Sequence, residues 1–269
     1  MPIINTVIAG GGAPAPTGTM YIISNGTYNV ADKAIANVNV PTTAPAKYLA
    51  LEVDNSGSLL HSTTQSTIID FTGITKIVEP YILYGAYLDN HNLTTSVDMS
   101  DVITIGGLNT CQNTFQNSSI RGFDLSALQE IGVGGISNQY SCSNMFSGCS
   151  YITTASFPSL TTLGGSYCCQ QMFRYSSVVT VDMSAVTAIT GSGAMQAMLA
   201  DCSSLTTVYI GGTTAIDFGT RTNQFNNLFQ NNTQNIDVYA PAANQAKIEA
   251  MSGYPNFGGT GTVTWHWRS

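Results

Sequence analysis

Apolar and polar positions alternate in short bursts along the middle of this chain. Ile69-Asp70-Phe71, Val97-Asp98-Met99, Phe123-Asp124-Leu125, Ala155-Ser156-Phe157, Val181-Asp182-Met183, Val208-Tyr209-Ile210 and Ile236-Asp237-Val238 each place one polar or amphipathic residue between two apolar ones. A period of two predicts a short strand with one buried face. From Asp70 to Asp237 the bursts recur at steps of 28, 26, 32, 26, 27 and 28 residues, a structural repeat. Between them runs an apolar pair at i, i+4: Tyr84/Leu88, Cys111/Phe115, Cys142/Phe146, Cys169/Phe173, Met195/Leu199 and Phe225/Phe229. That spacing predicts one face of a short helical turn. Three residues after a pair comes a compact side chain (Ser118, Cys149, Ser176, Cys202), and His91 follows Leu88 at the same interval. Glycine-rich joints at 106–107, 132–135, 164–165 and 191–193 supply turns. A strand and one helical turn cannot enclose a core alone, so the units are expected to stack around a shared interior.

The ends of the chain differ from this middle. Residues 10–16, GGGAPAP, read as a linker. Asn25-Gly26 lies between apolar runs in residues 21–30, the strongest short hairpin signal, and residues 36–41 read as a further strand. Beyond the last repeat, residues 242–251 have helical spacing and residues 261–267 alternate as a strand. Trp265, His266 and Trp267 either stack on a sugar or, as expected, form a terminal strand that packs Trp against the last coil. The expected organisation is an N-terminal arm at 1–20, a small β module at 21–60, a solenoid at 61–239 and a C-terminal cap at 240–269.

Only 9% of residues are charged, against roughly 25% in an ordinary soluble domain. Ser, Thr, Asn and Gly carry the solubility instead. A net charge of −7 argues against nucleic acid as a partner, which calls for clustered Lys and Arg. No stretch approaches the roughly 18 apolar residues of a membrane span. Residues 1–12 lack the basic start and apolar core of a secretory signal, so delivery without general secretion is expected. The six Cys follow the repeat rather than a disulfide or zinc spacing, which predicts buried core thiols. The three His, at 61, 91 and 266, fall in no metal-binding motif, and no GxSxG elbow or phosphate-binding loop occurs. The chain therefore reads as a non-enzyme with no cofactor and no metal.

The segments NMFSGCSYIT (144–153) and DCSSLTTV (201–208) resemble the MF-x-x-C-S-x-L-T core of BspA-like bacterial surface-antigen leucine-rich repeats. Residues 24–30 (SNGTYNV) and 36–41 (ANVNVP) resemble a segment of tail and other structural proteins of phages. Together the resemblances imply a leucine-rich-repeat-like solenoid, one short strand and one helical turn per unit of about 28 residues. They also imply a phage virion protein, assembled in the host cytoplasm, docked to other virion proteins through its N-terminal region and homo-oligomeric, often trimeric. The alternative is a bacterial cell-surface adhesin of the same repeat class. In either setting the expected contact surface is the outward file Asp70, Asp98, Asp124, Ser156, Asp182, Tyr209 and Asp237, spaced about 4.8 Å apart. Its carboxylates are either simply solvated or a ladder contacting a cation or a host glycan or protein.

Overall fold

A strand of three or four residues buries too little to persist alone, and most of those here are held by an equivalent strand one turn away. The computed structural model describes the backbone of Thr19–Ser24 and Tyr48–Val53, and residues 71–269 apart from 72, 73, 79, 82 and 136. Near the N-terminus, β1 (Thr19–Ser24) and β2 (Tyr48–Val53) pair antiparallel, Thr19 opposite Val53. β1 takes in the first strand of the expected hairpin. The Asn25-Gly26 turn and the strand expected at 36–41 lie outside the described residues.

From residue 71 the chain winds as a parallel β-solenoid of about seven turns. Strands alternate between two walls: β3 (Lys76–Ile77), β4 (Ser96–Asp98), β5 (Thr104–Ile105), β6 (Gly122–Asp124), β7 (Glu130–Ile131), β8 (Thr154–Ser156), β9 (Thr162–Leu163), β10 (Thr180–Met183), β11 (Ala188–Ile189) and β12 (Thr207–Ile210). The even-numbered strands build the first wall, continued by β13 (Ile236–Pro241), and the odd-numbered ones β3 to β11 build the second. Register lines up like residues: Val97 opposite Phe123, Val181 opposite Val208, Val208 opposite Val238. In the second wall Ile77, Ile105, Ile131, Leu163 and Ile189 form one fully buried column. Each such side chain contributes about 1.5–3 kcal/mol by leaving water.

The first wall is interrupted once, between β6 and β8, which fall in separate sheets. There the inward column changes from Val97 to Phe123 and then to Ala155. The large ring leans across the small neighbour, with its centroid 4.5 Å from Phe146, 5.5 Å from Phe157 and 5.9 Å from Phe173.

Where the i, i+4 pairs read as a helical turn, the structure has a ribbon of β-turns. In residues 109–118, alternate amides bond back three residues (Gln112 N to Asn109 O, Gln116 N to Asn113 O). The others reach the next coil (Cys111 N to Ser141 O, Phe115 N to Met145 O). Every fourth residue is left-handed: Asn109, Asn113 and Asn117 have φ of 54°, 59° and 56°. A four-residue repeat still sends i and i+4 inward, so Cys111 and Phe115 are buried as expected. In the first ribbon the buried pair is Leu83/Tyr87 rather than Tyr84/Leu88, and the compact slot holds buried Asn90 while His91 is exposed. The ribbon rings stack down the core: Tyr87–Phe115 at 5.3 Å, Phe115–Phe146 at 5.7 Å and Phe146–Phe173 at 5.6 Å. Coils approach closely at the corner after the second wall, where a Cβ on Gly165 would run into the Asn138 carbonyl.

After β13 come a 3-10 turn (Ala242–Asn244) and α1 (Gln245–Glu249), the one α-helix among the described residues. The Asn244 side chain accepts from Ile216 N and donates to Ile216 O, fixing this segment to the end of the second wall. β14 (Val263–Arg268) then joins β13 in parallel. The cap thus adds a last strand to the first wall, with Trp265 and Trp267 half-buried against the core and stacked at 5.6 Å.

Candidate functional site: the outward face of the first wall

Strand parity sends the middle residue of each burst out of the core, and the register decides which of these meet. Asp98 lies opposite Asp124, both exposed. Across the interruption, Ser156 lies opposite Asp182 and Asp182 opposite Tyr209. Asp70 lies outside the described residues. Asp237 departs from the expected file: it pairs with Thr207, and the residue opposite Tyr209 is Tyr239. The step from Tyr209 to its partner is therefore 30 residues (239 − 209) rather than 28, a two-residue shift that keeps Asp237 outward but moves it one row along the strand. The six-residue length of β13 allows either alignment by pattern.

The carboxylates of the file have a local task. Asp98, Asp124 and Asp182 each accept the amide of the serine two residues on, Ser100, Ser126 and Ser184, at 2.9–3.0 Å. These Asx turns end the strand and start the corner toward the second wall. Among the described residues, no three His, Cys, Asp or Glu side chains come together as a metal site.

The file expected from the sequence leaves out Tyr239 and His266. His266 pairs with Tyr239 in register, so the file runs Ser156, Asp182, Tyr209, Tyr239, His266. Tyr209 and Tyr239 stack at 4.8 Å and 19°, Tyr239 and His266 at 4.6 Å and 17°. His266 Nε2 is 2.7 Å from Asp237 Oδ1, with both side chains substantially exposed (42% and 54%). The Arg268 guanidinium lies 5.8 Å from the Tyr209 ring and donates to Gly211 O at 3.3 Å. The signal was present in the alternation Trp265-His266-Trp267, whose middle residue must face the opposite side from the two indoles.

All six Cys are free and buried. The Cys149 thiol donates to Phe115 O at 3.0 Å and Cys202 to Phe173 O at the same distance. Burial pushes them up to about 12 and about 11, and burial beside Cys111 raises Cys142 as well. Such thiols are poor nucleophiles because little thiolate forms. Among the described residues, no helix is long and apolar enough to cross a membrane. Comparison with known proteins finds no matching family model, curated protein or solved structure.

Proposed function

We propose that this chain is a non-enzymatic structural and display protein of a phage virion. Its N-terminal region docks on other virion proteins, and a homo-oligomer presents the leucine-rich-repeat-like solenoid to a host-surface glycan or protein. One observation carries the reading. The first wall holds a polar and aromatic file, Ser156 to His266, in register on a continuous parallel sheet. A surface organised before contact loses little entropy on binding.

The BspA-like repeat type is supported by where its motif residues sit. Met145, Phe146, Cys149 and Ile152 in one coil, and Cys202, Leu205 and Val208 in another, are all fully buried. The same motif favours a second reading, a bacterial cell-surface adhesin. The segments at 24–30 and 36–41 incline the balance to the virion. Mass spectrometry of particles purified from a lysate of the producing host separates the two. The chain is expected in the particles at constant stoichiometry; its absence from them, with recovery in host envelopes, would overturn the virion reading.

A further inference from the structure

We infer that the C-terminal end of the file, Tyr209, Tyr239 and His266 with Asp182, Asp237 and Arg268 around them, is a binding site for an uncharged oligosaccharide. For its biological setting the inference rests on the display reading above; its physical basis is separate. The three rings form a row across three adjacent strands, 4.8 and 4.6 Å apart and half-buried. A cross-strand ladder of this kind steadies a sheet. Because Tyr209 and His266 cover the two faces of Tyr239, the row meets a ligand with its ring edges and polar atoms. Tyr, Tyr and His add an apolar body with a polar rim, and a sugar offers hydroxyls to that rim and C–H groups to the edges.

The polar groups around the row are already oriented. Asp237 holds His266 at 2.7 Å. One oxygen of Asp182 is committed to Ser184 N. Arg268 is tethered to Gly211 O beside the Tyr209 ring. Thr207 and Thr264 lie on either side of Asp237 in the adjoining row. Polar atoms therefore occur on every strand at the strand spacing, about 4.8 Å, so each unit of a glycan lying along the solenoid meets a hydrogen-bonding partner. Charge narrows the ligand class. Two carboxylates and one guanidinium stand around the rings, so a polyanion meets an excess of carboxylate and a polycation meets no acidic cluster, whereas an uncharged glycan needs neither.

The test is affinity electrophoresis of the full chain through gels containing dextran, a mannan, a β-glucan or a galactan, with polygalacturonate as the acidic counterpart. At least one uncharged polysaccharide should retard the protein. Tyr239→Ala and His266→Ala should each weaken that retardation at least tenfold. Tyr175→Ala should leave it unchanged, because Tyr175 is 57% exposed but belongs to the turn ribbon. His266→Ala changes only an outward position of the last strand, so its loss of binding is read at a near-native melting temperature. Retardation by polygalacturonate alone, by none of the uncharged polymers, or equal weakening by Tyr175→Ala would overturn the inference. Finding the chain in particles without such binding removes only this inference; binding without particle association removes only the virion setting.

Discussion

At the residue scale, similar side chains do different work according to the direction the backbone gives them. Asp98, Asp124 and Asp182 sit in the outward file and also close the strand end by accepting a serine amide, which gives the repeat a structural reason to retain acid beside acid. The column Ser118, Cys149, Ser176, Cys202 faces inward, and its members add a further hydrogen bond to carbonyls that already accept the last amide of the ribbon: Cys149 bonds Phe115 O, Ser176 bonds Phe173 O, and Cys202 bonds the same Phe173 O. The neutral thiol is the form that fits. Cys149 and Cys202 titrate at about 12 and about 11 in the folded chain, above the ordinary 9.0. Below pH 9 both states carry the proton and the full stabilisation is present. Above pH 9, up to about 12 for Cys149 and about 11 for Cys202, the unfolded chain gives up protons that the folded chain keeps, so stability falls with rising pH, by about 1.4 kcal/mol per pH unit per thiol. The melting temperature should therefore be level up to pH 9 and drop steeply above it. Cys149→Ser/Cys202→Ser should push that drop to higher pH, because serine already occupies the slot at Ser118 and Ser176. Superimposable alkaline melting curves for the two proteins would contradict this account.

At the element scale, the ribbon is where pattern and structure part. A spacing of four residues puts two apolar side chains on one face of an α-helix, and it does the same in a run of β-turns whose every fourth residue is left-handed. Hydrophobic periodicity alone cannot separate the two, so buried positions were legible at Cys111/Phe115 and Phe225/Phe229 while the backbone was not. The distinguishing signal lay in the residues between: Asn109, Asn113, Asn117, and later Asn227 and Asn231, recur at intervals of four in the left-handed region, which Asn tolerates better than other side chains. Asn227 is exposed with φ of 55°, whereas its half-buried neighbour Asn226 has no such strain. Asn227→Val should cost about 1–2 kcal/mol, seen as a fall in the midpoint of chemical denaturation, and Asn226→Val well under half of that. A helix in this segment would penalise both substitutions alike.

At the scale of the whole molecule, stability is a sum over joints between neighbouring coils, and the joints are unequal. Most have three parallel ladders, one in each wall and one in the ribbon. Between the coils of β6 and β8 the second wall keeps its ladder, Glu130 opposite Thr162, and the ribbon keeps its own, Cys142 N to Cys168 O. The first wall there has none, and the contacts of the Phe123 ring with Phe157 and Phe173 span the gap instead. The 28-residue beat made stacked coils legible in the sequence, but this interruption was not, because a burst with Phe at its inward position has the same apolar–polar–apolar pattern as one with Val. The two-residue shift at Tyr239 was hidden for the same reason: either alignment of 236–240 buries an apolar residue at every second position. Strand amides without a partner are open to water, and opening such a segment costs less than opening one with a complete ladder. In hydrogen–deuterium exchange, peptides spanning β6 and β8 should therefore exchange at least tenfold faster than those spanning β10 and β12, with β7 and residues 142–148 of the same coil remaining protected. Equal protection of β6, β8 and β12 would mean that the ring contacts alone hold this joint as firmly as a paired wall.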